Sequence, residues 1–299
     1  MHIVSIRQFL DRGLIERLFS ITQEKGLPQG SPFLSGRTLA CLFYEPSTRT
    51  RLSFEAAMHQ LGGSVISSEH AGQFSSAIKG ESLEDTIRVV GGYADAIVLR
   101  HPERGAARRA AAVSDVPVIN AGDGDGEHPT QALLDLYTIR EECGRMDDLH
   151  ICLAGDLRYG RTVHSLVQLL SVCANVRLTL ASPPELTLPE RYLRFLERTA
   201  IPFVRTERLD VAGVDVLYMT RIQKERFARA DLYQRVRDRF ILTAENMRHA
   251  GPRTVIMHPL PRVNEIAVGV DGDRRAAYFR QARNGLAVRK ALLRVVMAG

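Results

Sequence analysis

Short apolar runs alternate along this sequence with segments whose apolar residues recur at helical spacing. The runs that we expect to form strands are residues 39–44, 64–67, 96–99, 116–120, 151–154, 176–181, 214–219 and 254–257. Segments outside them, such as residues 6–19, 48–61, 83–93 and 162–173, have the period of amphipathic helices. Because this alternation is typical of parallel strands joined by helical crossovers, the sequence predicts an α/β fold.

The alternation occurs in two consecutive sets, separated by a predicted long helix at residues 132–143. A chain of 299 residues is long enough for two domains of ordinary size. We therefore predict two doubly wound parallel-sheet domains joined by helices, with residues 1–128 in the first and residues 129–282 in the second. A last helix is expected at residues 276–297.

The stretch after the first predicted strand concentrates hydroxyl and guanidinium groups at the start of a helix. Pro46 ends the strand, and Ser47, Thr48, Arg49 and Thr50 follow directly. A helix N-terminus presents N–H groups that lack intrahelical partners, together with partial positive charge. Arginine adds forked donors that match phosphate oxygens. The stretch therefore predicts an oxyanion site, with phosphate the favoured anion. An ordinary helix cap followed by a basic turn is the alternative.

Polar residues also follow several of the other predicted strands. They are Arg100, the pair His128 and Gln131, Arg161 at a helix start, the pair Arg221 and Gln223, and the Leu260-Pro261 turn. Since ligands of such sheets bind beyond the carboxyl ends of the strands, these residues can gather at one edge. Each also fits an ordinary role, such as a solvated strand-end arginine or a rigid turn. The loop at residues 69–79, with Ser75 and Lys79, has no clear period and is expected to be long and mobile.

Composition narrows the class of protein. The formal net charge is +6, but the basic residues are scattered and form no concentrated tract, which argues against a nucleic-acid partner. No apolar run approaches a membrane span, and the N-terminal residues lack a secretory pattern, so we expect a cytoplasmic protein with no membrane partner. The four cysteines form no Cys-x-x-Cys pair and the histidines show no ligand spacing, so neither a disulfide framework nor a metal is expected.

Taken together, a series of short motifs spread over nearly the whole chain resembles the aspartate carbamoyltransferase family. The motifs are Phe43 with Ser47-Thr48-Arg49-Thr50-Arg51, Arg100-His101-Pro102, His128-Pro129-Thr130-Gln131, Tyr159-Gly160-Arg161-Thr162-Val163-His164-Ser165, Thr220-Arg221-Ile222-Gln223-Lys224-Glu225-Arg226 and His258-Pro259-Leu260-Pro261-Arg262. The first and third are shared with ornithine carbamoyltransferases. The others favour aspartate, because the C-terminal motif has no Cys and two arginines suit a dicarboxylate.

The resemblance implies an enzyme that transfers the carbamoyl group of carbamoyl phosphate to the amine of L-aspartate. The products would be N-carbamoyl-L-aspartate and phosphate, in de novo pyrimidine biosynthesis (the UMP pathway), and no cofactor is implied. The implied carbamoyl phosphate ligands are Ser47, Thr48, Arg49, Thr50, Ser75, Lys79, Arg100, His128 and Gln131, of which Arg49, Thr50, Lys79, Arg100 and His128 would be catalytic. The implied aspartate ligands are Lys79, Arg161, Arg221, Gln223, Leu260 and Pro261. The resemblance further implies that the first domain binds carbamoyl phosphate and the second aspartate, with the C-terminal helix returning so that residues 283–299 complete the first domain.

In this family, residues matching Ser75 and Lys79 reach the neighbouring subunit's site, which implies a homotrimer with shared active sites. Whether a separate regulatory chain binds stays open. One departure is Asn264, where the family usually has Asp, and this change could remove a domain-closure contact. Two alternatives remain. The chain could use a related amine substrate such as ornithine, or it could be a silent, carbamoyltransferase-like scaffold, although its site residues are intact.

Overall fold

The computed structural model of the chain describes residues 1–24, 32–69, 80–227 and 230–297. The chain divides into two compact units. The first consists of Met1–Leu134 with Asn284–Gly299, and the second of Asp135–Arg283. Within the described ranges, no helix is both long enough and apolar enough to cross a membrane.

The strands are β1 (Thr38–Phe43), β2 (Ser64–Glu69), β3 (Ala96–His101), β4 (Val118–Asp123), β5 (His150–Ala154), β6 (Arg177–Ala181), β7 (Phe203–Thr206), β8 (Val216–Met219) and β9 (Val255–Met257). The α-helices are α1 (Arg12–Gln23), α2 (Thr48–Gln60), α3 (Leu83–Gly91), α4 (Ala106–Val113), α5 (Pro129–Cys143), α6 (Arg161–Leu169), α7 (Glu190–Arg198), α8 (Ala230–Val236) and α9 (Tyr278–Met297). The chain passes from the first unit to the second within α5 and returns within α9.

The first unit contains a sheet of parallel strands in the order β2-β1-β3-β4. The central strands read as continuous apolar runs because helices cover the sheet. Leu42 and Leu99, for example, share a core cluster with Ile87 of α3 and Ala110 of α4. The chain adds β2 on one side of β1 and then β3 on the other. The carboxyl ends of β1 and β3 therefore flank the switch point where α/β sheets bind ligands.

The second unit repeats this plan with the strand order β7-β6-β5-β8-β9, again entirely parallel. Buried residues of the central strands, including Ala154 and Met219, pack with Phe240 and Tyr278 in one core cluster. After β5 the chain builds outward through β6 and β7, and then places β8 on the opposite side of β5. The switch point of this sheet therefore lies at the carboxyl ends of β5 and β8.

The prediction of two parallel α/β sheets is confirmed, but several local predictions differ from the structure. Residues 6–19 do not form one helix. Ser5 and Gln8 form a capping box around a short 3-10 helix, Ile6–Phe9, and Asp11 then caps α1 through the N–H of Leu14 (2.8 Å). Strand β7 was not predicted. The charged segment 226–240 contains the end of the 3-10 helix Lys224–Arg226 and the short helix α8.

Candidate active site

The turn between β1 and α2 leaves a helix N-terminus without a side-chain cap. Ser47 occupies the N-cap position, and its carbonyl oxygen accepts the N–H of Arg51 at 3.0 Å, but its hydroxyl makes no capping hydrogen bond. Neither the helix nor Ser47 therefore supplies partners for the first-turn N–H groups. Thr48 and Arg49 are exposed in this turn, whereas Thr50 is buried. The helix start thus offers donors and partial positive charge to an anion.

The pairing of β1 with β3 brings Arg100 beside this turn. Arg100 pairs in register with Phe43, and its carbonyl oxygen accepts the N–H of Tyr44 at 2.9 Å, so the strand pairing continues into the turn. The Arg100 guanidinium donates to the carbonyl oxygen of Ala121 (3.3 Å) and lies 3.6 Å from the Glu45 carboxylate. A largely buried cation therefore stands next to the start of α2, at the switch point.

Arg51, two residues after Arg49, has its guanidinium paired with two carboxylates. Its guanidinium pairs with Glu55 at 2.9 Å and with Glu69 at 3.0 Å. These two carboxylates hold the Arg51 side chain on the helix surface. The two arginines lie two residues apart on a helix, so their side chains point in different directions. Arg49 is therefore an exposed arginine at the start of α2, whereas Arg51 is held by two carboxylates.

His128 and Gln131 follow β4, the next strand along the edge, and both are buried. The His128 carbonyl oxygen accepts the N–H of Gln131 at 3.0 Å, which fixes the first turn of α5. The Thr130 hydroxyl lies 3.4 Å from His128 Nδ1. If that hydroxyl donates, the ring proton sits on Nε2, the nitrogen that can donate to a ligand.

Two acidic residues that the sequence analysis did not single out hold this turn in place. Asp123 accepts the N–H of Glu127 at 2.8 Å and the N–H of Gly105 at 2.7 Å. The Glu127 carboxylate in turn accepts the N–H of Ile6 at 2.7 Å. Since Glu127 directly precedes His128, these bonds position the imidazole. The sequence signal was slight, because the carboxylates stand in a glycine-rich run that reads only as a strand end.

At the second switch point, the buried carboxylate of Asp156 joins the turns after β5 and β8. One of its oxygens accepts the N–H groups of Arg158 (3.1 Å) and Tyr159 (2.9 Å), and the other lies 3.5 Å from both the N–H and the side-chain amide nitrogen of Gln223. Burial raises the pKa of Asp156, against the lowering effect of these hydrogen bonds. No sequence pattern pointed to this role of Asp156.

Gly155 makes the close approach of the two turns possible. Its φ is +108°, and a Cβ atom at this position would clash with the carbonyl oxygen of Thr220. The hydroxyl of Thr220 donates to the carbonyl oxygen of Ala154 at 3.0 Å, so the two strand ends are also tied by a hydrogen bond. Only glycine fits here without moving the backbone that presents Arg221 and Gln223.

Arg161 and Arg221, the two predicted site arginines of the second unit, are partly exposed. Arg161 is the first residue of α6, whose N-cap is Gly160 and has no side-chain cap. The Arg221 guanidinium pairs with Glu225, with one of the two hydrogen bonds at 3.1 Å. Burial acts to raise the pKa of Glu225, but the bond to Arg221, a backbone hydrogen bond and the nearby arginine charges together outweigh it and the pKa is lowered. Both positive charges thus lie at helix or strand ends near the second switch point.

Leu260 and Pro261 follow β9, and their peptide bond is cis. Leu260 has φ +53°, a left-handed conformation that is uncommon for a residue with a side chain. Each unit therefore brings its own predicted residues to one edge of a sheet. Ser75 and Lys79 lie outside the described residues, as does the rest of the predicted loop from residue 70. Among the described residues, no group of three or more His, Cys, Asp or Glu side chains could hold a metal ion.

Two parallel α/β units, each with arginines and a helix start at its switch point, are consistent with an enzyme of the carbamoyltransferase class, and two family models match the chain. Residues 2–141 match the model of the aspartate/ornithine carbamoyltransferase carbamoyl-P binding domain, and residues 147–296 match that of the Asp/Orn binding domain. The chain belongs to the aspartate/ornithine carbamoyltransferase family.

Within this family, the chain is similar to proteins named for aspartate. It is 50% identical to a chloroplastic aspartate carbamoyltransferase of Oryza sativa subsp. japonica, over 99% of this chain and 85% of the relative. It is also 50% identical to an aspartate carbamoyltransferase catalytic subunit of Methanocella arvoryzae, over 99% and 97%. The structure of aspartate transcarbamoylase from Trypanosoma cruzi with carbamoyl phosphate and aspartate superposes with a TM-score of 0.92 at 42% identity, covering 99% of this chain and 96% of that one.

Proposed function

We propose that this chain transfers the carbamoyl group of carbamoyl phosphate to the amine of L-aspartate, the step of pyrimidine biosynthesis that yields N-carbamoyl-L-aspartate and phosphate. One observation carries this proposal. The β1/β3 switch point presents a helix start without a side-chain cap beside the guanidinium of Arg100. Similarity to aspartate carbamoyltransferases over nearly the whole chain supports it.

The first unit is proposed to bind carbamoyl phosphate. Ser47, Thr48, Arg49 and Thr50 would hold the phosphate, because hydroxyls, backbone N–H groups and a guanidinium all converge on that helix start. Thr50, Arg100 and His128 would donate to the carbonyl oxygen, and Gln131 would bind the carbamoyl amide. The geometry that favours these roles is the shared position of these residues after the neighbouring strands β1, β3 and β4.

The second unit is proposed to bind aspartate. Arg161 and Arg221 provide two guanidiniums, which suits a ligand with two carboxylates. Gln223 is held against Asp156 and would contribute an amide. The carbonyl groups of Leu260 and Pro261 would accept hydrogen bonds from the reacting groups.

The chemistry requires no nucleophilic side chain. The uncharged amine of aspartate attacks the carbonyl carbon, a C–N bond forms, and the C–O bond to phosphate breaks. Negative charge grows on the carbonyl oxygen, where each preorganised donor is worth about 2.7–4 kcal/mol. The departing phosphate can accept the amine proton. Holding the two reactants in line supplies much of the remaining acceleration.

We further propose a homotrimer in which Ser75 and Lys79 enter the site of the neighbouring subunit. The support is the family resemblance of the run that ends in Lys79-Gly80-Glu81. A cytoplasmic location, the expectation from the sequence, is also part of the proposal; the relative from rice is described as chloroplastic. A regulatory chain is a further candidate partner, because the similar archaeal protein is described as a catalytic subunit.

Steady-state assays with purified protein test the proposed function. With saturating carbamoyl phosphate, aspartate should be carbamoylated at a rate within the ordinary enzymatic range of about 1–1000 per second. Ornithine in place of aspartate should give no product above background. Carbamoylation of ornithine without carbamoylation of aspartate would refute the choice of substrate, and no turnover with either would favour the silent scaffold.

A further inference from the structure

A chain of buried hydrogen bonds in the second unit leads to the segment that contains Leu260. The hydroxyl of Tyr218 donates to one oxygen of Asp135 at 2.7 Å, and the side-chain amide of Gln281 donates to the other at 2.6 Å. The amide oxygen of Gln281 then accepts the N–H of His258 at 2.8 Å. Asp135 and Tyr218 are 0% exposed, while Gln281 and His258 are 1% exposed. The chain of bonds therefore lies within the protein interior.

The imidazole of His258 continues this connection into the segment. Its Nδ1 accepts the N–H of Leu260 at 2.8 Å, and its Nε2 lies 2.7 Å from a carboxylate oxygen of Glu265. The other oxygen of Glu265 accepts the N–H groups of Val263 (3.0 Å) and Asn264 (3.1 Å). Residues 258–265 are thus bonded at both ends of the Leu260-Pro261 turn.

The donors and acceptors of this network have only one consistent arrangement. An Nδ1 that accepts from a backbone N–H carries no proton, so the ring proton is on Nε2 and is donated to Glu265. Burial acts to raise the pKa of Glu265, but the hydrogen bonds from His258 and from the backbone together outweigh it and the pKa is lowered, which favours the accepting carboxylate form. Gln281 must present its NH₂ to Asp135 and its oxygen to His258. No carboxylate could do both while ionised.

A left-handed conformation is unfavourable for a residue with a side chain, such as Leu260, and it persists only where the surrounding structure holds it. The direct determinant is the bond from its N–H to His258, and the position of His258 is set by Gln281. We propose that Gln281, anchored by Asp135, is a positioning residue for aspartate binding, because it fixes the backbone that carries the Leu260 and Pro261 carbonyls. This inference rests on the proposed function and adds residues that do not touch the substrate.

The main test is Gln281→Leu in the full-length protein, with Gln168→Leu as the matched control. Gln168 is also a buried glutamine of the second unit, and its amide donates to the carbonyl oxygen of His164 at 3.2 Å, away from the Leu260 segment. Both variants lose a buried hydrogen bond, so both should be less stable. Only Gln281→Leu should raise the KM for aspartate, by about tenfold or more, while the Kd for carbamoyl phosphate changes less than about twofold.

Gln281→Glu provides a second readout that a merely structural role would not give. While the introduced carboxyl group is protonated, it can donate to Asp135 and accept from His258, which reproduces the wild-type pattern of hydrogen bonds. Once ionised, it faces a second carboxylate. The ratio of variant to wild-type kcat/KM for aspartate should therefore rise as the pH is lowered from about 8.5 to about 6, with the pKa of the new acid raised by burial and by Asp135.

The outcomes separate the two claims. If the wild type does not carbamoylate aspartate, the proposed function and this inference both fail. If it does, and Gln281→Leu keeps the wild-type aspartate KM or is matched by Gln168→Leu, only the positioning role is wrong. A flat pH ratio for Gln281→Glu would overturn it as well. Should Gln281→Leu not fold, the Gln281→Glu profile decides the question alone.

Discussion

The two switch points differ in the kinds of groups that they would present to an anionic ligand. At β1/β3, the donors belong to a helix start, to hydroxyls and to Arg100, and Glu45 lies 3.6 Å from the arginine. At β5/β8, a carboxylate that is 0% exposed, Asp156, occupies the switch point itself and holds the backbone of both turns. In the same unit, Arg161 is the first residue of α6 and Arg221 follows β8, where it pairs with Glu225.

The difference matches the ligands that we propose for the two units. A phosphate group is compact, and it is satisfied by converging N–H groups and hydroxyls at a helix start. A flexible dicarboxylate needs two separate cations at a fixed spacing, and long arginine side chains are fixed only if the backbone below them is fixed. A buried, fully hydrogen-bonded carboxylate such as Asp156 supplies that rigidity. The second switch point therefore depends more on interior polar groups than the first.

The largest effect is expected from removing a donor at the first switch point. Arg49→Ala should lower kcat by more than about 100-fold and weaken carbamoyl phosphate binding, because a charged donor to the phosphate is lost. Steady-state kinetics with both substrates varied would measure both effects.

A suitable control for Arg49→Ala is Arg88→Ala, which removes the same charge from the same unit. Arg88 makes an exposed ion pair with Asp85 at 3.0 Å, and such pairs contribute about 0–1 kcal/mol. Its kcat should stay within about twofold of wild type. Near-normal turnover of correctly folded Arg49→Ala would remove Arg49 from the proposed phosphate site.

A smaller and more selective effect is expected at the second switch point. Arg221→Ala should lower kcat/KM for aspartate by about 10- to 150-fold, since a hydrogen bond to a charged group is worth about 1.5–3 kcal/mol. The Kd for carbamoyl phosphate should stay unchanged, because that ligand is assigned to the other unit. Equilibrium binding of carbamoyl phosphate, measured beside the kinetics, separates the two effects.

Arg194→Ala is the matched control for Arg221→Ala, because Arg194 pairs with Glu190 at 3.2 Å across one helical turn, as Arg221 does with Glu225 four residues away. It should leave both constants within about twofold of wild type. If Arg221→Ala weakened carbamoyl phosphate as much as aspartate, the assignment of one ligand to each unit would be wrong.

Sequence patterns predicted both sheets and the strand-end residues at both switch points, because buried parallel strands read as unbroken apolar runs and polar residues stand out at their ends. Strand β7 was missed because it has only four residues and most of them are partly or fully exposed, so it does not form an apolar run. The supporting polar groups were missed for a different reason. Asp135 and Gln281 are 146 residues apart, and an isolated Asp or Gln within a helix carries no sign of its partner. Only the folded chain reveals such pairs.

The smallest expected effect is on the pH dependence of the free energy of unfolding, for which one aspartate from each unit can be compared. Asp95 accepts the N–H of Thr38 (2.8 Å) and pairs with Arg37 (2.7 Å). Burial acts to raise its pKa, but these bonds outweigh it, so the pKa is lowered. Its contribution to the free energy of unfolding is therefore present above the unfolded pKa of about 3.9 and is lost as the pH falls. Asp156 has a raised pKa, so its contribution is complete below about pH 3.9 and is lost as the pH rises through the folded pKa.

Denaturant titrations of Asp95→Asn, Asp156→Asn and wild type between about pH 3 and about pH 7 test this contrast. The stability difference between wild type and Asp95→Asn should grow as the pH rises toward about 4 and then level off. The difference between wild type and Asp156→Asn should shrink as the pH rises above about 4. Two differences that changed in the same direction would show that the Asp156 carboxylate is stabilised by its hydrogen bonds more than it is penalised by burial.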